Sequence, residues 1–141
     1  MIKLVKRFFR KKLEQSWHPI RVEALIVEDQ QDESDFLAGL LRANSVLVTQ
    51  AKNIAGALEC LNQPVIFQLA FVDLKLPNGS GIEVIRRIKE TKRLTHVIVT
   101  SGAIEQVPLV MSYGYVGLMG KPFSSSTVSE ILYKHRLPGS F

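Results

Sequence analysis

The sequence predicts an α/β domain built on a doubly wound, five-stranded parallel sheet flanked by five helices, with an amphipathic helix ahead of it. Three observations carry this reading. Five short runs rich in Val and Ile alternate with longer stretches that have helical apolar spacing. The runs show little polar alternation, as strands covered on both faces do. The 141 residues are 46% hydrophobic and 22% charged, which suits one globular domain able to bury a core without a disulfide or metal staple.

Taken in order, residues 1–20 form a basic amphipathic segment. Ile2, Val5, Phe9, Leu13 and Trp17 fall on one helical stripe, with Lys3, Arg7, Arg10, Lys11 and Glu14 mostly opposite, and His18-Pro19 marks a stop. The domain proper occupies residues 21–137, and 138–141 are a tail. Strands are expected over 22–27, 46–49, 69–72, 97–100 and 116–119. Phe36, Leu37, Leu40 and Leu41 mark the first helix of the domain, and Ile54, Leu58 and Leu61 the second. Ile82, Ile85 and Ile88, with Val84 at the edge of the stripe, mark the third. The fourth runs over about 104–113 and the fifth over 127–137.

The net charge of +5 is unevenly placed. Residues 1–21 hold seven basic side chains against Glu14, whereas residues 22–141 hold eleven against twelve acidic ones. A near-neutral domain therefore carries a basic N-terminal segment, and direct DNA binding by a whole-domain basic face is not expected. The single Cys60 offers no internal disulfide, and with no signal-peptide-like start a reducing cytoplasm is the expected location. No apolar run reaches the ~20 residues that cross a bilayer.

Parallel sheets of this kind bind ligands outside the carboxyl ends of their strands, so the residues ending each run matter most. The first run ends in Glu28-Asp29, the third in Asp73, the fourth in Thr100-Ser101 and the fifth in Lys121-Pro122. Three carboxylates, a hydroxyl and an ammonium thus converge on one edge. Phosphoryl transfer to a carboxylate needs this set. Acidic oxygens hold Mg²⁺, one carboxylate is the nucleophile, and the ammonium and hydroxyl bind phosphoryl oxygens.

Four stretches, Ala24 to Asp29, Val72 to Gly81, Val97 to Gly102 and Gly120 to Phe123, make the chain resemble the receiver domains of two-component response regulators from about Arg21 to Leu137. The resemblance implies a flavodoxin-like fold with Asp73 as phosphoacceptor. It also implies Mg²⁺ bound by Asp29, Asp73 and the backbone carbonyl of Lys75, with Glu28 assisting through water. Lys121 would pair with the phosphoryl group, aimed by a cis peptide before Pro122, and Pro77 and Gly81 match the family's turn after the acceptor. The sequence departs from the family pattern at three places. Glu28 stands where Asp is more usual, Thr100 and Ser101 both fit the hydroxyl position with Thr100 favoured, and Leu118 replaces the aromatic expected three residues before the lysine.

Other chemistries fit less well. A dehalogenase-type phosphatase would carry its second acid where Lys75 stands, and neither G-x-G-x-x-G nor G-x-x-x-x-G-K-[ST] is present. Cys60 reads as a small hydrophobe, and His18, His96 and His135 lack metal-ligand spacing. The resemblance implies a stand-alone regulator with only limited self-phosphorylation and autodephosphorylation chemistry, not a conventional enzyme. A sensor histidine kinase or phosphotransfer protein would donate the group and a downstream protein would read it. The alternative is a phosphorylation-independent adaptor placed by its N-terminal helix. A homodimer or an anionic membrane surface, met through residues 1–18, would each cover the apolar stripe.

Overall fold

The computed structural model describes residues 22–92, 94–100, 107–114 and 116–136. The helix expected over residues 1–20, along with Ser101, Tyr115 and the tail, lies outside the described residues. Five parallel strands, β1 (Glu23–Val27), β2 (Leu47–Ala51), β3 (Leu69–Val72), β6 (His96–Val99) and β7 (Gly117–Leu118), form one sheet. Their order across it is β2-β1-β3-β6-β7. The helices are α1 (Gln31–Ala43), α2 (Ile54–Leu61), α3 (Ile82–Thr91), α4 (Val107–Ser112) and α5 (Ser125–Arg136). A short antiparallel pair, β4 (Lys75–Leu76) and β5 (Gly79–Ser80), sits between β3 and α3.

The central strands read as unbroken apolar runs because each serves two cores. Leu25, Val27, Ala70, Val72, Val97 and Val99 pack on one face with Ala57, Leu61, Val84, Ile85, Ile88 and Val110. On the other face, Ala24, Ile26, Leu69, Phe71 and Ile98 meet Leu37, Ala38 and Leu41 of α1 and Val128 and Leu132 of α5. Alternate residues of one strand thus enter opposite cores, and both have apolar cover.

Four details differ from the sequence expectation. β2 extends through Gln50 and Ala51, which pair with Ile26 and Val27, and it is largely open to solvent because it is an edge strand with a neighbour on one side only. On α1 the inward stripe is Ser34, Leu37, Ala38 and Leu41, which leaves Phe36 exposed. Small residues carry half of that stripe, so the larger apolar side chains point to a face rotated from the real one. Val84 is fully buried rather than at the margin of its helix. α5 begins at Ser125, ahead of the start expected at 127, because Ser124 Oγ accepts from the Thr127 N–H at 3.2 Å and caps the helix.

Candidate functional site

Parallel strands deliver their next residues to one edge, and the backbone ladder holds those residues in place. The amides of Glu28, Asp73 and Thr100 donate to the carbonyls of Ala51, Val27 and Val72 at 3.0–3.1 Å, and that of Met119 to Val99 at 2.8 Å. The pairing therefore runs one residue past each strand end. Glu28 and Asp73 come together where the chain turns from β1 outward to β2 and then back to β3, the switch point of a doubly wound sheet.

Lys121 Nζ donates to Glu28 Oε2 at 2.9 Å and to Asp73 Oδ2 at 3.0 Å. It also forms an ion pair with Glu33 Oε2 at 2.6 Å. The other oxygen of Asp73, Oδ1, accepts from the Lys75 N–H at 2.9 Å, and Glu28 Oε1 accepts from the Gln30 N–H at 3.1 Å. Glu28 and Asp73 are 2% and 4% exposed, so two carboxylates are held under the surface by one ammonium and two backbone donors.

These contacts separate the two acids. Burial pushes the Glu28 carboxyl up, Lys121 opposes this and nearby Asp73 reinforces it, leaving its pKa at about 7. Burial also raises that of Asp73, but the Lys75 N–H, Lys121 and a hydrogen bond from Glu28 outweigh it and hold the carboxyl below the usual range. Burial works against the charge on Lys121 too, and Glu33, Glu28 and Asp73 together keep it firmly protonated. The result is an ionised Asp73 beside a fixed cation.

One ligand oxygen from each of Glu28, Asp29 and Asp73 lies within 4.8 Å of the others. An all-oxygen, multiply charged set of this size suits a hard divalent cation. Among the described residues the other expected site groups also lie on this edge. Thr100 is buried at the end of β6, and Lys75 follows Asp73 with its side chain exposed and its N–H on the acceptor. The Lys121–Pro122 peptide is cis. Ser101 lies outside the described residues.

The turn after Asp73 is tightly built. The Gly81 N–H donates to the Leu74 carbonyl at 3.0 Å, and a Cβ on Gly81 would collide with the Asp73 carbonyl. Close backbone approach, not an unusual φ, therefore requires glycine here. Leu118, in the place of the expected aromatic, is 60% exposed on β7. Cys60 is half-buried on α2, with its thiol pushed up by burial and then by Glu59, so it is a poor nucleophile. His96 and His135 meet edge to face, a pairing their spacing did not reveal.

Glu33 escaped the sequence reading. It is not at a strand end but in the first turn of α1, one helical turn beyond Asp29, and reaches back to Lys121. An acid in the first turn of a helix entering the same edge is the signal that could have found it.

A doubly wound five-stranded parallel sheet with an acidic cluster and a lysine at its carboxyl edge is the architecture of a receiver-type domain. The chain belongs to the response regulator receiver domain family, whose profile matches residues 24–133. It is 29% identical over 118 residues to the two-component response regulator ORR11 of rice (Oryza sativa subsp. indica), covering 81% of this chain and 80% of that one. It is 31% identical over 115 residues to the response regulator ArlR of Staphylococcus epidermidis, covering 79% of this chain and 50% of ArlR. A receiver domain protein (CheY-like) from Methanospirillum hungatei JF-1 superposes with a TM-score of 0.75 at 22% identity, covering 81% of this chain and 92% of that one. Among the described residues, no helix is long and apolar enough to cross a membrane.

Proposed function

We propose that this protein is a response regulator phosphorylated on Asp73 by a phosphohistidine donor and read by a protein target or by the next carrier in a phosphorelay. The observation that carries this is the state of Asp73, a buried yet ionised carboxylate pinned by Lys121 and the Lys75 N–H beside two further acids. A carboxylate oxygen of Asp73 attacks phosphorus, the P–N bond to the donor imidazole breaks, and the nitrogen keeps the bonding pair. The product is an acyl phosphate on Asp73. Lys121 keeps its proton throughout and moves its hydrogen bond from the carboxylate to a phosphoryl oxygen.

Glu28, Asp29, Asp73 and the Lys75 carbonyl would hold Mg²⁺. When bound, the ion supplies neutralisation of the charge on the phosphoryl oxygens. Thr100, buried at the end of β6, would donate its hydroxyl to the same group, and the α4–β7 side of the domain would then carry the signal. With Leu118 at the usual aromatic position and on the surface, that signal runs through the Thr100 loop and Lys121 without a ring moving inward. The lone Cys60, which offers no internal disulfide, supports a reducing, cytoplasmic site of action.

Acetyl phosphate with Mg²⁺ should add one phosphoryl group to the intact protein, detectable by mass, and Asp73→Asn should abolish the gain. No gain in the wild type, or a gain that persists in Asp73→Asn, would overturn the proposal. The first of these results would leave a phosphorylation-independent adaptor as the better reading.

A further inference from the structure

The Lys121 ammonium is surrounded by three carboxylates that it does not hold equally. Of its N–H donors, one serves Glu28 Oε2 at 2.9 Å and another Asp73 Oδ2 at 3.0 Å. The third acid, Glu33, reaches it from the first turn of α1, with Oε2 2.6 Å from Nζ. Its hold is of a different kind. Glu33 Oε2 is shielded from water against the ammonium yet accepts no hydrogen bond, so charge alone keeps it there.

The three acids also differ in what else fixes them. Glu28 and Asp73 are buried, and each accepts a backbone N–H through its other oxygen, from Gln30 and Lys75 respectively. Withdrawing the ammonium from either one strands a buried carboxylate. The Glu33 side chain, by contrast, is 44% exposed, and water can take over its charge at little cost. A phosphoryl group on Asp73 brings a further anion, with several acceptor oxygens, to the same ammonium. The partner held least firmly is then the one that leaves.

We infer that Glu33 is a displaceable counter-anion, which occupies Lys121 in the resting protein and swings out to water when a phosphoryl group arrives on Asp73. This rests on Asp73 being the phosphoacceptor. The exchange makes and breaks no covalent bond: Lys121 keeps its proton and trades its ion pair with Glu33 for one with the phosphoryl oxygens. Every arriving phosphoryl group must displace Glu33, so this residue sets how strongly the site takes an oxyanion. Glu33 stands apart from the acidic cluster of Glu28, Asp29 and Asp73, so it acts on the phosphoryl side and not through the metal.

Beryllofluoride, a non-covalent mimic of a phosphoryl group, tests this when titrated into the full-length protein at saturating Mg²⁺ and followed by amide NMR. Glu33→Gln keeps the shape of the side chain and removes its charge. It should bind beryllofluoride about two- to fivefold more tightly. Its affinity for Mg²⁺ alone should not tighten. A loosened site would weaken both, so a gain confined to beryllofluoride separates displacement from a structural role. In the wild type, the carboxyl carbon of Glu33 should move to its solvent-exposed shift when beryllofluoride is added, and not with Mg²⁺ alone. Unchanged or weaker beryllofluoride binding by Glu33→Gln overturns the inference, as does a Glu33 carboxyl resonance that stays in place or an equal gain in Mg²⁺ affinity. In these cases the wild type still binds beryllofluoride, and the phosphoacceptor reading stands. A wild type that binds none overturns that reading and the inference together.

Discussion

The two edges of the sheet invert the usual rule of burial in opposite senses. At the carboxyl edge, Glu28, Asp73 and Thr100 are almost wholly buried, while at the amino edge Leu47, Ile66 and Leu94 stand in solvent. A buried carboxylate costs free energy unless it is paired, and an exposed aliphatic side chain leaves free energy ungained. At the first edge Lys121 and the backbone N–H groups of Gln30 and Lys75 pair the buried acids; at the second the three aliphatic side chains stay open to water. The ordinary core between them, with Phe71, Ile85 and Ile98 sealed on both faces, supplies the stability that allows either exception.

The contrast can be broken most strongly at Lys121. Lys121→Ala leaves Glu28 and Asp73 facing each other unpaired and should cost about 2 kcal/mol in urea unfolding without metal, less than a fully buried pair because the lysine is partly exposed. Added Mg²⁺ should restore part of that loss, and an unchanged midpoint would mean the lysine does not hold the acids together. Gly81→Ala should cost roughly 1–3 kcal/mol by forcing a Cβ into the Asp73 carbonyl. It should also slow phosphorylation by acetyl phosphate, and full activity would show that the turn yields easily.

The pH dependence sharpens the comparison further. On the proposed Mg²⁺ site Glu28 would act as the carboxylate, and burial raises its pKa to about 7 in the metal-free protein. Mg²⁺ affinity should therefore rise with pH to about 7, fall by up to about tenfold per unit below it, and level off above. A titration followed by fluorescence or calorimetry that is flat from pH 6 to 8 would remove Glu28 from the ligand set. In the metal-free protein Glu28's own contribution to stability has the opposite sign. The folded state retains a proton that the unfolded chain has released, so this contribution declines as pH rises from about 4.5 to 7. The smallest effect is expected at Glu33. Glu33→Gln removes a competing anion from Lys121 and from the path of an incoming phosphoryl group, so acetyl phosphate should react about two- to fivefold faster. A slower reaction would make Glu33 a positioning residue for the lysine.

Much of this was legible along the chain, and the rest was hidden for definable reasons. Glu28, Asp29, Asp73, Thr100 and Lys121 could be placed on one edge because each follows an apolar run, and parallel strands end on the same side. Glu33 lies within a helix, where sequence offers no cue to which way a first-turn carboxylate reaches. The inner face of α1 was misjudged by its large residues, since Ser34 and Ala38 pack inward while Phe36 does not. β2 looked like a buried strand until its place in the sheet was known, because a run of apolar residues does not state how many neighbours it has.

The sequence by itself determined the alternation of strands and helices, the chemistry of the strand ends and the separation of a basic segment from a neutral domain. These depend on residue type and short-range periodicity, which a linear chain displays directly. Only the tertiary structure decided that Lys121 bridges three acids, that Glu28 and Asp73 titrate apart, that glycine at position 81 is required by the Asp73 carbonyl, and that Leu47, Ile66 and Leu94 are left exposed at the amino ends of their strands. Each of these depends on groups far apart in the chain meeting at a few ångströms, where desolvation, charge and steric contact act through space.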